Sequence, residues 1–493
     1  MTARHRIAAL ATLIAVTGMS AQALAQSINV EKDWPQWRGP LGTGAAAKSA
    51  NPPTTWSATT NIKWKVPVPG DGTSTPIILG DKIFIQTAIN PKGDAAPSQP
   101  RQGDRAEGKG PPPGEKSDKG DKGKKGFGPP KGDFGGKGPP GAFDKGPRSG
   151  KGPAMPPPTD PIQFVLLCLD KQSGKTLWQT VCREEVPHEG FRPGDGSFAA
   201  PSAVTDGEHV YAFFGSRGLY CLDLAGKVKW EKDLGDQRTR NGFGEGGTPG
   251  LFGNTIVVTW DHEDEDFIVA LDKRTGSELW RKTRDEPTTW ATPLIVEHNG
   301  KAQAIIPGTN RLRSYDLATG ETVWETEGLT LNAIPTAVTA DGVVYATAGF
   351  QGSKLLAIKL GGTGDITGSS SILWRVDRDT PYVPSPLLSG NRLYFFKSNN
   401  AILTCLDIHT GKPFFAAQRI DGLGSMVYPS PVAGGGKVYL VGRNGTTVVI
   451  KDAEKLEILA TNVLDEPTDA SPAIIGNELF LRGRQHLYCI AEK

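Results

Sequence analysis

Cysteine, charge excess and long apolar runs are all scarce in this sequence. The 493 residues include five cysteines, an odd number, so a framework with every cysteine paired is excluded. No disulfide is expected, no Cys-x-x-Cys-His haem-attachment motif occurs, and no Cys/His set has zinc spacing. Lys and Arg number 55 against 53 Asp and Glu, so a dominant polybasic surface is absent and nucleic acid is not an expected partner. No stretch reaches about 18 apolar residues, so no membrane span is predicted. No nucleophile elbow, P-loop or dinucleotide fingerprint occurs in a fitting strand–turn–helix context.

Glycine (62) and proline (39) make up about a fifth of the chain, which argues against an all-helical protein and for many turns. One unit recurs: a small or hydroxylated residue, Pro, a short apolar run, a turn, two β-rich strands ending in Leu-Asp, a Thr-Gly turn, then Trp. Its Pro marks are Pro76, Pro201, Pro249, Pro293, Pro335, Pro386, Pro431 and Pro472. The Trp marks keep step at Trp178, Trp230, Trp280 and Trp324, and the later copies degrade to Trp374 and Phe415. Four short strands per period of roughly 40–50 residues is the signature of a propeller blade. The expected fold is all-β, an eight-bladed β-propeller of four-stranded antiparallel blades. The unit starting at Pro472 is one strand short, and Asn61-Ile-Lys-Trp64-Lys-Val66 supplies the missing strand, so the last blade should be closed by an N-terminal strand. Four cysteines (Cys168, Cys221, Cys405, Cys489) occupy one repeated slot that elsewhere holds Ala270, Ser314 or Ala357, the mark of a small packing site.

Two segments stand outside the repeat. Residues 1–25 read as a signal peptide: Arg4 and Arg6, a ten-residue apolar run over 7–16, then Ala23-Leu24-Ala25 with cleavage expected after Ala25. Export to the periplasm or beyond follows. No Cys succeeds the apolar run, so no lipid attachment is expected. Residues 26–90 form the N-terminal segment, the closing strand and the start of blade 1; 162–493 carry the rest of the ring. Between them, residues 91–161 are rich in Gly, Pro and Lys and lack large aliphatic residues over 101–160, so this insertion should be disordered. It carries 14 Lys/Arg against 9 Asp/Glu, and its excess of five offers electrostatic contact with anionic surfaces; the alternative is an inert spacer.

The units Asp272-Lys-Arg-Thr-Gly-Ser-Glu-Leu-Trp280 and Asp316-Leu-Ala-Thr-Gly-Glu-Thr-Val-Trp324 resemble the repeats of quinoprotein dehydrogenases, which use pyrroloquinoline quinone (PQQ), and those of the assembly lipoprotein BamB. The opening Trp34-Pro-Gln-Trp-Arg-Gly-Pro40, Val186-Pro-His-Glu-Gly190 and Trp290-Ala-Thr-Pro293 resemble secreted PQQ-binding-like propellers abundant in planctomycetes. The resemblance implies that each Trp packs on the neighbouring blade. It also implies PQQ with calcium as a candidate cofactor. The chain departs from the dehydrogenases in having no Cys-Cys pair and no motif matching their Glu, Asn and Asp calcium ligands, and from BamB in lacking the lipidated Cys.

Segments between a Trp strand and the next Pro mark should rim one mouth of the channel. They supply the candidate ligand residues His188, Glu189, Arg240, Arg284 and Trp290, with Arg192, Asn241, Glu245, Arg375 and Asp377 nearby in sequence. Arg could hold quinone carboxylates, Trp290 could stack on a planar ring, and His188-Glu189 could form an oriented base or a plain surface pair. The acidic run Asp261–Asp266 could bind a cation through oxygens or form a solvated turn. The expected function is an exported, non-catalytic scaffold for an envelope protein partner. The alternatives are a PQQ/calcium-dependent oxidoreductase and a glycan-binding module.

Overall fold

The computed structural model describes residues 28–93, 156–192 and 194–492. The predicted signal segment and residues 94–155 of the predicted insertion lie outside the described residues. The described residues form eight sheets, antiparallel apart from one added strand, and among them the only helical turns are Gly215–Arg217 and Arg240–Gly242. Blade 1 holds Ile77–Leu79, Lys82–Ile89, Ile162–Asp170 and Thr176–Glu185. Blades 2 to 7 follow in sequence over residues 204–232, 250–283, 294–327, 338–376, 387–419 and 432–463. Blade 4 departs from the four-stranded expectation: Gly364–Asp365, from the hairpin of blade 5, pairs in parallel with Trp324 and Glu325.

Blade 8 contains Ala473–Ile475, Glu478–Arg482 and His486–Ile490, and the N-terminal strand Ile62–Pro67 is its fourth member. Trp64 faces Cys489 and Val66 faces Leu487 in that ladder. The chain's first strand therefore closes the ring.

Burial explains the strand types. The three inner strands of a blade pack on both faces, so Ile77–Leu79 and Leu219–Asp223 are almost continuously buried. The fourth alternates, as Val228–Lys232 does, because only one face meets a neighbour. The Trp on that face is the inter-blade staple. Trp64, Trp178, Trp230, Trp280 and Trp374 each donate Nε1–H to a carbonyl in the next blade, at 2.9–3.1 Å. Each indole lies over the glycine of the next blade's turn: Gly276 has φ +71°, and a Cβ there would sit 2.7 Å from Trp230. Blade 7 has no Trp on its outer strand; Trp56 of the N-terminal segment stacks on Tyr439, and its backbone N–H donates to Asn462 Oδ1.

The N-terminal segment also crosses the channel. Trp34 exchanges backbone hydrogen bonds with Ile78 in blade 1, Thr205 of blade 2 donates to Pro35, and Thr43 and Gly44 accept from Leu388 and Ala433 in blades 6 and 7. The passage lies where the innermost strands end, opposite the mouth loops. All five cysteines are free thiols. Burial pushes the Cys168, Cys221 and Cys405 thiols up to about 12, as expected of an inert packing slot.

Candidate functional site

The innermost strands of all eight blades are tied together by side-chain hydroxyls. The Thr75 N–H donates to Ser202 Oγ, Ser202 to Thr248, Thr248 to Thr292, Thr292 to Thr336, Thr336 to Ser385, Ser385 to Ser430 and Ser430 to Ser471, all at 2.9–3.1 Å. This relay corrects the repeat register. In blades 2 and 5 the Pro precedes the hydroxyl residue, whereas in the other six it follows, so the hydroxyl rather than the proline marks the equivalent position. Between blades 8 and 1 the junction is made by buried Arg482, whose Nη1 donates to Ser74 Oγ at 2.6 Å and to the Gln86 carbonyl at 2.8 Å.

Above this ring the mouth loops enclose a funnel of about 1240 Å³. That exceeds the ~300–1,000 Å³ of ordinary small-molecule pockets. Trp37, from the segment crossing the channel, lines it, together with Trp290, Phe350, Tyr382 and Tyr428. Phe350 and Tyr382 stack with centroids 4.7 Å apart, and Trp290 meets Phe243 edge-on.

The charges of the funnel are joined across it. Arg443 forms a bidentate pair with Asp469, at 2.6 and 3.2 Å, and its guanidinium lies 3.8 Å from the Tyr428 ring centroid. Its Nη2 also donates to the Gly194 carbonyl, while Tyr428 donates its hydroxyl to Asp195 at 2.7 Å. Arg192 pairs with Asp195 at 3.2 Å. Glu245 accepts from Ser216 and Arg217. Burial, reinforced by Asp195, pushes the Tyr428 phenol well above its ordinary range, so it stays a neutral donor.

Of the five sequence candidates, Trp290 lines the funnel, with its Nε1–H on the Gly244 carbonyl at 2.8 Å. Arg240 is the neighbour of Asn241, which lines it, and the Arg240 N–H donates to Thr288. His188 turns outward, with Nε2 2.7 Å from the Gln237 carbonyl. Glu189 is buried and accepts from the N–H and hydroxyl of Thr239. The crevice beside Glu189 encloses only about 10 Å³, less than a water requires. His188 and Glu189 therefore serve different partners and do not form a base pair. Arg284 is fully buried on Asp261, at 2.6 and 3.1 Å, and donates to the Tyr315 hydroxyl. Burial lowers its pKa, but Asp261 and Tyr315 more than offset this, so the guanidinium is held charged.

The acidic run is likewise committed. Besides Arg284, Asp261 accepts from Thr289; Glu263 accepts from Thr288; and Asp264 pairs with Arg238. Among the described residues, the one grouping with metal-ligand spacing is Asp206, Glu208 and His209. Lys273 sits 2.9 Å from Asp206 within it, which opposes a cation. Arg375 pairs with Asp377 and Glu327 outside the funnel. Tyr382, Tyr428, Arg443 and Asp469 were missed in the sequence; the Tyr-x-Pro-Ser and Tyr-Pro-Ser steps into blades 6 and 7 were their signal.

Residues 163–287, 238–366 and 308–492 match the family described as outer membrane protein assembly factor BamB. The chain belongs to the BamB family. BamB from Moraxella catarrhalis aligns at 16% identity and TM-score 0.48, over 66% of this chain and 93% of that one. The quinohemoprotein alcohol dehydrogenase of Comamonas testosteroni aligns at 9% identity and TM-score 0.57, over 94% of this chain and 81% of its own. A europium-containing methanol dehydrogenase aligns at 9% and 0.53, over 92% and 90%. At such identities the two dehydrogenases share the fold with this BamB-family chain. Among curated proteins, none matches it in sequence.

PQQ, the group implied by the dehydrogenase likeness, does not fit these residues. A tricarboxylate quinone needs an excess of cations, whereas Arg192, Arg443 and Arg484 of the funnel stand among Asp195, Glu245 and Asp469, and the first two are each held by an aspartate. The Trp290 ring is approached closely by Gly246, where a Cβ would come within 2.8 Å of it, and it meets Phe243 edge-on.

Proposed function

We propose that this BamB-family chain is an exported, non-catalytic scaffold that docks an envelope protein. One observation carries the reading: the polar side chains at the mouth are committed to one another, Arg443 to Asp469 of the adjoining link and the Tyr428 hydroxyl to Asp195 across the ring, which makes a braced platform rather than a reactive centre. Export is supported by the Arg4/Arg6, apolar and Ala-Leu-Ala pattern of residues 1–25. Docking is supported by the outer strand Ile458–Val463, where Ile458, Leu459 and Val463 are exposed. The matching edge of blade 4 is already covered by an added strand, so such edges accept one.

The test offers the purified chain, residues 26–493, both PQQ with calcium and its native envelope. The expected result is free quinone after gel filtration, no dye reduction with alcohols or sugars, and cross-linking to one partner that Val463→Asp weakens. Saturable, alcohol-dependent dye reduction overturns the scaffold reading.

A further inference from the structure

We infer that the funnel is a binding site for a neutral glycan several sugar units long. The inference does not rest on the docking of a protein partner, which uses the outer edges.

Its first support is the hydroxyl relay. Ser202, Thr248, Thr292, Ser385, Ser430 and Ser471 line the funnel and are each more than nine-tenths buried. Each oxygen accepts a neighbour's N–H, and among the described contacts none of the six donates its own proton. A hydroxyl carries a donor besides its acceptor sites. Hydroxyls that line the funnel and have no protein acceptor among the described contacts offer a ring of donors to the oxygen atoms of a ligand.

The second support is the wall. Trp290, Phe350, Tyr382 and Tyr428 come from four different inter-blade or hairpin loops and present rings to one space. Rings beside hydroxyls suit a ligand with apolar C–H faces and polar edges.

The third is charge. The charged side chains lining the funnel balance, Arg192, Arg443 and Arg484 against Asp195, Glu245 and Asp469, and Arg192 and Arg443 are each paired with an aspartate, so the wall offers no excess charge to hold an anionic ligand. A purely apolar ligand would strip water from the hydroxyl ring and leave it unpaired. A neutral polyol meets both conditions, and the cavity of about 1240 Å³ takes an oligomer rather than a single sugar.

The experiment titrates the chain, residues 26–493, with hexasaccharides of β-1,4-glucose, α-1,4-glucose and β-1,4-N-acetylglucosamine, read by calorimetry and tryptophan fluorescence. Saturable binding of at least one is expected. Tyr382→Ala should weaken it about tenfold, the energy of one aromatic contact. Phe350→Leu, a milder change at the half-buried partner ring, should weaken it in the same direction and guards against misfolding of the first variant. Leu279→Ala, on the exposed outer strand of blade 3, should leave it unchanged. The inference is overturned by silence of all three glycans, by binding indifferent to both ring variants, or by displacement of the glycan by a neutral unstructured peptide that binds more tightly.

Discussion

Arg38 shows how one side chain can hold distant parts of a ring. It is fully buried, and its guanidinium donates to the carbonyls of Thr43, Pro386 and Pro431, that is, to its own segment and to blades 6 and 7. Burial alone depresses its pKa to about 9. Three carbonyls would lose their donor in Arg38→Ala, so the expected loss is on the order of 3 kcal/mol or more. Arg38→Lys should recover little of it, because an ammonium cannot present the planar fork that reaches separate acceptors. Urea denaturation of both variants measures this. If lysine restores full stability, charge rather than fork geometry is what the site requires. The sequence shows Trp34-Pro-Gln-Trp-Arg-Gly-Pro40 as a motif, but not its task, since Arg38 and Pro431 are 393 positions apart.

At the scale of the element, the staple is an indole on one blade and a left-handed glycine on the next. Trp230→Phe removes the hydrogen bond to the Lys273 carbonyl and keeps most of the packing, and should cost about 1 kcal/mol. Gly276→Ala strains φ +71° and also drives a methyl into the ring of Trp230, and should cost more. Thermal melts of the two variants give the order; a more harmful tryptophan change would place the staple's strength in the hydrogen bond. These elements were legible because they are local: the Asp-to-Trp spacing, the Thr-Gly turn and the strand alternation all fall within one repeat. The funnel was not. Tyr428 and Asp195 are 233 residues apart, and their contact depends on which loops face each other across a ring. Arg284 and Glu189 looked like rim charges for the converse reason, since a short sequence window does not show that Asp261 and Thr239 lie against them.

For the whole molecule, the long insertion enters at a well-formed hairpin. Lys82–Ile89 and Ile162–Asp170 pair along their full length, out to Ile89 opposite Gln163. The ends of the insertion are therefore already together. Closing 71 residues instead of about 5 costs about 2.4 kcal/mol of chain entropy. Replacing residues 91–161 with a short Gly-Ser turn is expected to preserve the fold and raise the melting temperature modestly. Loss of folding in that variant would show that the insertion packs on the ring. If the insertion binds anionic surfaces, its removal and added salt should weaken that binding alike.

The closing strand also sets an order of events during synthesis. Ile62–Pro67 is made long before its partner His486–Ile490 emerges. Seven blades can assemble as they leave the ribosome or translocon, whereas the eighth waits for His486–Ile490. Until then the first strand has no ladder to join, and Trp64 has no Cys489 opposite it. A nonsense codon just before His486 would thus undo the same sheet as a deletion of Ile62–Pro67. Circularity turns two segments far apart in sequence into a single point of commitment, passed only when both have been made.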